Sequence, residues 1–384
     1  MKKKHSIYPL LPILSGFFVM GFCDVVGISS NYIKQDFQLS DTLTSFLPFA
    51  LFIWFFIFSI PTGILMNKIG RKKTVQVSNV ITIIAMLIPF AHYSYLSCLL
   101  AFALLGIANT ILQVSLNPLL SNVVHSQKLT SALTAGQFIK AISSFSGPFI
   151  AAFAVRYFHN WQAMFPIFSG ITVISFLWLQ ISRIEETQVN TSNTSFRETM
   201  QLLGNKTILL LFCGIVCVVG IDVGINMSTP RLLMERCALS SEEANYGVSV
   251  YFFCRTAGAF IGAILLSKYN SIGLFRAGTV LTIFALSALF FVSDKIIILI
   301  IVGVVGLACA NIFPILFSFA LNKEPEKANE ISGLMITGVA GGALIPVIMG
   351  VLVDRIGSQT GSIIVIFLCA VYLLGCSLFN RKNQ

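Results

Sequence analysis

The sequence predicts an all-α polytopic membrane protein with twelve transmembrane helices in two pseudo-symmetric six-helix bundles. Of its 384 residues, 56% are hydrophobic and 10% are charged, and the mean hydropathy is +0.87. Soluble domains carry about 25% charged residues. A helix that spans a bilayer needs about 20 apolar residues, so twelve helices joined by short loops use the whole chain and leave no stretch for a soluble domain.

Apolar runs separated by short polar loops define the predicted spans. They cover residues 8–33, 43–67, 74–93, 97–121, 130–155, 161–182, 207–233, 245–269, 272–292, 296–320, 328–354 and 361–379. The one long polar stretch, 183–206, is rich in Ser, Thr and Asn, and it separates the first six spans from the last six. We therefore predict an N-terminal bundle over 1–182, a cytoplasmic interdomain linker over 183–206, and a C-terminal bundle over 207–384.

The net charge of +10 reflects membrane topology. If the N-terminus is cytoplasmic, 17 Lys and Arg residues fall in or near cytoplasmic loops and six fall on the far side. Loops rich in Lys and Arg stay in the cytoplasm, so we predict that both termini are cytoplasmic and that the membrane is a bacterial-type inner membrane. We expect the lipid bilayer as a partner and no nucleic acid. The basic Lys2, Lys3 and Lys4 precede an apolar run too long for a cleaved signal peptide.

The two halves of the chain share a weak internal repeat. Asp24 and Pro148 recur as Asp222 and Pro346, both at an offset of 198 residues. Duplicated six-helix halves are typical of secondary transporters. In such proteins two bundles rock about a central site and expose it to each side of the membrane in turn.

Four ionisable residues lie well inside predicted spans: Asp24, Lys140, Asp222 and Arg255. Such a residue at a helix centre costs about 2.5–3.5 kcal/mol on insertion scales, which favours a functional role over chance. Asp24 and Asp222 are the candidate proton-coupling residues, and we expect Asp24 to be desolvated. Lys140 and Arg255 are candidates to balance these carboxylates or to contact a ligand, and a packing ion pair is the alternative.

Polar amides form stripes on several spans. In the fourth span three of them recur every four residues, which places them on one face of the helix. We expect these stripes to line a wet central cavity and to bind a polyhydroxylated ligand, and hydrogen bonding between helices is an equal alternative. The amides concerned are Asn109, Gln113, Asn117, Gln137, Asn226 and Asn311.

Several kinds of chemistry are absent from the sequence. It contains no G-x-x-x-x-G-K-[ST] phosphate loop and no H-E-x-x-H motif, and its nine cysteines lack metal-ligand spacing. We therefore expect a transporter rather than an enzyme, with no cofactor and no metal site. A proton gradient is the expected energy source, and sodium is the alternative because carboxylate and amide oxygens also bind hard cations.

Residues 63–73 read G-I-L-M-N-K-I-G-R-K-K. This stretch resembles the G-x-x-x-D-R-x-G-R-[RK]-[RK] loop of the major facilitator superfamily, with Asn67 in place of the usual aspartate. The resemblance implies the superfamily's fold. It also implies a conformational gating role for Gly63, Asn67, Gly70 and Arg71.

Three stretches in the second half of the sequence extend the resemblance to one family within this superfamily. Residues 341–350 (G-G-A-L-I-P-V-I-M-G), 311–318 (N-I-F-P-I-L-F-S) and 219–223 (V-G-I-D-V) resemble signatures of the fucose/glucose/galactose–proton symporter family. The resemblance implies an importer of a monosaccharide or related small polyol, working by proton symport with alternating access. We expect it to function as a monomer. Asp24 occupies the place of that family's first-span aspartate. Gln113 stands where its E-T-A-A-N-P pattern has a carboxylate, and an amide can bind a hydroxyl but cannot titrate.

Three alternatives remain open at this point. The first is an exporter or antiporter of drugs or anionic metabolites on the same fold, in which Lys140 and Arg255 would contact an acidic ligand. The second is a sugar transporter coupled to sodium. The third is a membrane component that transports nothing, for which the sequence offers no output domain.

Overall fold

A computed structural model describes residues 10–39, 41–184, 196–239, 241–244 and 246–379. Within these ranges the chain is helical and contains no strand. The described residues of the first half form eight α-helices: α1 (Leu10–Met20), α2 (Val25–Asp36), α3 (Asp41–Ile69), α4 (Arg71–Ala91), α5 (Tyr95–Val123), α6 (Ser126–Phe158), α7 (Met164–Ile181) and α8 (Phe196–Gln201). Lys2, Lys3, Lys4 and residues 185–195 of the predicted linker lie outside the described residues, as do both termini.

The second half forms nine α-helices in the part of the chain that the structure describes. They are α9 (Lys206–Cys237), α10 (Ser241–Ala244), α11 (Tyr246–Lys268), α12 (Ser271–Leu289), α13 (Lys295–Cys309), α14 (Ile312–Lys323), α15 (Ala328–Thr337), α16 (Gly341–Ile356) and α17 (Thr360–Phe379). Among the described residues, eleven helical segments are long and apolar enough to cross a membrane, and Leu10–Asp24 is a shorter apolar one that α2 continues. The prediction of an all-α polytopic membrane protein is confirmed.

Three of the predicted spans are broken rather than continuous. The first is interrupted by a 3-10 turn at Gly21–Asp24, and the eleventh by a 3-10 turn at Gly338–Ala340. The tenth breaks between α13 and α14. Pro314 is the third residue of α14. Proline has no backbone N–H to donate and fits best in the first turn of a helix, where that N–H has no intrahelical partner, so it favours a new helix start at this position.

The described chain divides into two compact units. Unit 1 comprises 1–129, 136–201 and 324–337, and unit 2 comprises 130–135, 202–323 and 338–384. Two short segments therefore group with helices from the other half of the sequence. One of them contains α15, which packs against α3 and α5 within unit 1. The predicted division into 1–182, 183–206 and 207–384 stays a prediction.

Close backbone contact holds α3 and α5 together in unit 1. A Cβ atom added to Gly106 on α5 would lie 2.1 Å from the carbonyl oxygen of Leu51 on α3. No side chain fits at that distance, so glycine is required for the helices to approach this closely. In membranes, where lipid tails are as apolar as the helices, such close packing is a main source of helix association.

We expect Gly106→Ala to destabilise the protein by about 1–3 kcal/mol, because the methyl group forces α3 and α5 apart. Gly170→Ala is the matched control, since a Cβ there would have no neighbour within 4 Å and alanine favours a helix by about 1 kcal/mol. Thermal unfolding of the purified protein in detergent measures both variants. Equal stability of Gly106→Ala and Gly170→Ala would contradict this account of the contact.

Candidate functional site

Asp24 ends the 3-10 turn between α1 and α2, near the middle of the first span. The turn lies directly against α6, since a Cβ on Gly21 would sit 2.7 Å from the carbonyl oxygen of Lys140. This packing places Asp24 beside Ser144 of α6, whose Oγ donates a hydrogen bond to Asp24 Oδ2. The expectation that Asp24 is desolvated is wrong, because its side chain is exposed. The turn directs it away from the core around the buried Phe22.

The amide stripe on α5 holds the turn in place. Asn109 Nδ2 donates a hydrogen bond at 2.8 Å to the carbonyl oxygen of Met20. Met20 is the last residue of α1. A helix that ends inside a membrane leaves carbonyl groups without intrahelical partners, and a neighbouring side chain can satisfy them. Asn109 therefore stabilises the break that precedes Asp24.

The other two amides of the stripe continue this chain of hydrogen bonds. Gln113 Nε2 donates to Asn109 Oδ1 at 3.1 Å, and Asn117 Nδ2 donates to the carbonyl oxygen of Gln113 at 3.0 Å. All three residues are buried. Their amide nitrogens are thus engaged within unit 1, but only the bond from Asn109 to Met20 joins two helices as the alternative expected; the other two lie within α5. Gln113 Oε1 and Asn117 Oδ1 accept no hydrogen bond from the described residues, so these two amide oxygens of the stripe remain for a ligand.

A polar anchor fixes the other end of α2. Asp36 Oδ2 accepts hydrogen bonds from Tyr93 Oη at 2.6 Å and from Trp161 Nε1 at 2.9 Å. The ring of Tyr32 stacks on Trp161 with centroids 4.9 Å apart. Because both ends of α2 are held, the orientation of Asp24 is set by the fold of unit 1.

Lys140 lies one turn before Ser144 on α6 and is partly buried. Among the described residues it forms no ion pair within 4.0 Å and donates no side-chain hydrogen bond. The buried thiol of Cys23 lies within electrostatic reach of both Asp24 and Lys140. Gln137, one turn earlier, is also partly buried. The structure thus brings a carboxylate and an ammonium to one region of unit 1 without joining them.

The intramembrane charges of unit 2 are paired. Arg255 Nε on α11 lies 3.0 Å from Asp222 Oδ1 near the middle of α9. Tyr251, one turn before Arg255, is fully buried and its hydroxyl donates to the same carboxylate oxygen at 2.6 Å. Asp222 therefore has both a cation and a hydroxyl donor, whereas Asp24 has a hydroxyl donor and, within the described ranges, no cation within 4.0 Å.

Two more predicted site residues of unit 2 bind backbone groups. Asn226 Nδ2 donates to the carbonyl oxygen of Asp222 at 2.8 Å, and Asn311 Nδ2 donates to that of Gly258 at 3.0 Å. Asn311 lies at the break between α13 and α14 and faces Gly262 of α11, where an added Cβ would overlap its side chain. These contacts favour a packing role for Asn311. A ligand role for either residue stays a prediction.

The Asp222–Arg255 pair leads to a test by double substitution. We expect Asp222→Asn and Arg255→Gln each to lower the uptake of the transported substrate into proteoliposomes about tenfold, because each substitution leaves one charge uncompensated within the bilayer. The double variant should recover part of this loss, since neighbouring residues are not additive. Uptake per unit of folded protein, with folded yield measured by size-exclusion chromatography, checks the pair. Additive losses would contradict the pairing.

The predicted gating residues lie at the end of α3 and the start of α4, and only Gly70 lies between the two helices. The guanidinium of Arg71 is buried and donates to Asn329 Oδ1 at 2.7 Å, to the carbonyl oxygen of Pro118 at 3.1 Å, and to Asn122 Oδ1. Gly70 caps the start of α4 with a φ of 87°, a conformation that glycine adopts without strain. Arg71 thereby joins α4 to α5 and to α15 within unit 1.

The same cluster includes Asn67, where the superfamily loop has aspartate. Asn67 Oδ1 accepts from Asn329 Nδ2 at 2.6 Å, and Asn67 Nδ2 donates to Glu330 Oε1 at 2.5 Å. One turn earlier, a Cβ on Gly63 would lie 2.7 Å from the carbonyl oxygen of Asn329, so glycine lets α3 and α15 pack closely. Gly63, Asn67 and Arg71 therefore all contact α15, whereas Gly70 caps α4. The gating role of the four residues stays a prediction.

Sequence reasoning missed several partners of these residues. Tyr251 could have been found, because it lies four residues before Arg255 on the same helix face. Asn329 and Glu330 are polar residues at the start of the eleventh span, but nothing in their local sequence indicates contact with a loop more than 250 residues away.

Comparisons with known proteins agree on one family. A sequence model of the Major Facilitator Superfamily matches residues 13–346. A Brucella abortus protein described as a glucose/galactose transporter is 26% identical over 99% of this chain and 96% of its own length. The E. coli fucose:proton symporter FucP superposes with a TM-score of 0.85 at 16% identity, over 97% of this chain and 99% of its own.

A second solved structure has the same fold. The proton:xylose symporter XylE, bound to 6-bromo-6-deoxy-D-glucose, superposes with a TM-score of 0.74 at 12% identity, over 100% of this chain and 96% of its own. At these identities the two superpositions establish the fold alone. The predicted fold class of two six-helix bundles is confirmed.

Proposed function

We propose, from the premise that this chain belongs to the major facilitator superfamily, that it imports a monosaccharide or related small polyol together with a proton. The B. abortus relative, whose description names glucose and galactose, supports a sugar as the substrate. The single observation that carries proton coupling is Asp24, an exposed carboxylate in the middle of a span with no cation of the described chain within 4.0 Å.

The proposed coupling follows from the cost of an uncompensated charge. When the carrier encloses its ligand, water leaves the surroundings of Asp24, and an ionised carboxylate with no cation of the described chain within 4.0 Å is expensive in such a site. A proton taken up from the outside removes that cost. Protonated Asp24 then accompanies the sugar through the conformational change of alternating access and releases the proton to the cytoplasm.

The two candidate coupling residues receive different roles in this proposal. Asp222 is compensated by Arg255 at 3.0 Å and has no need of a proton during the change, so we assign it to charge balance within unit 2. Asp24 alone carries the coupled proton. Gln113 Oε1 and Gln137 are the amides assigned to sugar hydroxyls, while Asn109, Asn117, Asn226 and Asn311 support the helices that carry the site.

The cellular setting is part of the proposal. The excess of Lys and Arg in one set of loops supports a bacterial-type inner membrane with both termini in the cytoplasm. We propose that a single chain is the functional unit. The proton gradient supplies the energy, and no cofactor or metal takes part.

Uptake into proteoliposomes with an imposed pH gradient tests the proposal. The panel contains neutral hexoses, deoxyhexoses and acidic sugars, and the gradient is acid outside. We expect at least one sugar to accumulate above its external concentration, and a protonophore to abolish the accumulation. If a sodium gradient drives sugar uptake and a proton gradient does not, the proposal of a proton as the coupling ion is wrong. If no sugar accumulates under either gradient, the proposed function is wrong.

A further inference from the structure

The geometry points to a sugar that carries a carboxylate, with Lys140 as the residue that binds it. This inference rests on the proposed function and names the substrate class of the same site. It is drawn from one juxtaposition, in which Lys140 of α6 packs near the turn that carries Asp24 and yet forms no ion pair with it.

Lys140 requires a counter-charge on physical grounds. It lies well inside α6, 14 residues after the helix begins at Ser126 and 18 before it ends at Phe158. An ammonium at that depth is costly unless an anion or water compensates it. No carboxylate lies within 4.0 Å of it among the described residues. A partly buried cation without such a partner, close to a transport carboxylate, is suited to bind an anionic ligand.

The described groups around the turn offer no second carboxylate for this purpose. On the turn itself, the titratable groups are Asp24 and the buried thiol of Cys23. From α5, the element next to the turn, comes the amide of Asn109. From α6, Ser144 contributes a hydroxyl that is bonded to Asp24. Once Asp24 takes up a proton, Lys140 is therefore the one ionised side chain among these groups.

The charge balance then selects an anionic substrate. In the empty carrier, ionised Asp24 and Lys140 sum to zero. With a proton on Asp24 and a sugar carboxylate on Lys140, the sum is again zero. Binding of the proton alone or of the sugar alone leaves a net charge of +1 or −1, which opposes enclosure. A neutral sugar with a proton leaves the site at +1. An acidic sugar with a proton therefore gives tight coupling, and a neutral sugar does not.

Binding of sugars to the purified protein tests whether Lys140 recognises the carboxylate. The probes are D-glucuronate and D-galacturonate, compared with D-glucose and D-galactose, which differ from them by a CH₂OH in place of the carboxylate. We expect the uronates to bind at least about tenfold more tightly than the hexoses. Lys140→Met should abolish that preference, Lys140→Arg should retain it, and Lys268→Met, an exposed lysine at the end of α11, should leave it unchanged.

The net charge that the wild-type protein moves across the membrane during transport gives a second readout, and it requires no variant. Uptake of a uronate anion with one proton moves no net charge, so an imposed membrane potential should leave its initial rate unchanged, whereas a pH gradient should raise it. Uptake of a neutral hexose with a proton would respond to the potential. Solid-supported membrane recording distinguishes the two.

Several outcomes would overturn the inference while leaving the proposed function intact. One is proton-driven accumulation of hexoses without uronates. Another is equal uronate binding by the wild type and Lys140→Met. A third is a loss in Lys140→Met that affects hexoses and uronates equally, since Lys140 would then serve only as a counter-charge to Asp24. Accumulation of neither class under any gradient would instead reject the proposed function.

Discussion

Asp24→Asn is expected to abolish accumulation of sugar driven by a pH gradient, with a loss of about 100-fold or more in the accumulation ratio. Asparagine has nearly the shape of aspartate and can still accept the hydrogen bond from Ser144, but it cannot take up a proton. The site is then permanently neutral at this position, so the sugar moves down its own gradient and gains nothing from the proton gradient. Uptake in proteoliposomes measures the ratio directly.

Exchange of labelled for unlabelled sugar across the membrane is the control for folding and binding. We expect Asp24→Asn to keep this exchange, because exchange needs binding and reorientation without net proton movement. Asp24→Glu retains a titratable carboxylate and should keep part of the accumulation. Full accumulation by Asp24→Asn would rule out Asp24 as the coupling residue, and loss of exchange in the same variant would point to a structural role.

Arg71→Ala is expected to have the largest effect on stability. The guanidinium is 5% exposed, and its loss leaves buried oxygens of Asn329, Asn122 and Pro118 without this donor. Hydrogen bonds from a charged donor contribute about 1.5–3 kcal/mol each, and buried acceptors left unsatisfied add to the cost. We expect a loss of about 3 kcal/mol in the free energy of unfolding, measured by denaturation of the purified protein in detergent.

Two neighbouring variants make that result specific. Lys73→Ala removes an exposed cation two residues away and should change the stability by less than about 0.5 kcal/mol. Arg71→Lys keeps the charge but loses the planar fork of donors that reaches two helices, so an intermediate loss is expected. Equal stability of Arg71→Ala and Lys73→Ala would show that the cluster around α15 contributes nothing.

Much of the fold could be predicted because hydrophobicity and helix length are local properties. Twelve apolar runs were sufficient to place the helices to within a few residues, and the motif at 63–73 was sufficient to indicate the superfamily. The breaks in three of the spans were harder to predict from the sequence. Pro314 is a local signal for the break before α14, but the turn at Gly21–Asp24 depends on close contact with α6, which a single segment does not reveal.

The site could be predicted only in part, for the same reason. The four intramembrane charges could be identified from their depth alone, because charge is costly in the bilayer. Depth does not reveal that Arg255 pairs with Asp222 while Lys140 remains apart from Asp24, because pairing depends on how helices pack. The amide stripe on α5 shows the same limit, since its spacing fits a ligand site and a structural network equally. Its hydrogen bonds within unit 1 favour the network for Asn109 and Asn117, and a ligand role for these two residues stays a prediction.

The most direct test of proton coupling measures protons rather than sugar. Proteoliposomes loaded with a pH-sensitive dye, in weak buffer and without an imposed gradient, receive a sugar that the uptake panel has identified as a substrate. We expect acidification of the interior as the sugar enters by wild-type protein, and entry without acidification by Asp24→Asn. Sugar entry with no proton movement in the wild type, or equal acidification by both proteins, would contradict the claim that Asp24 carries the proton.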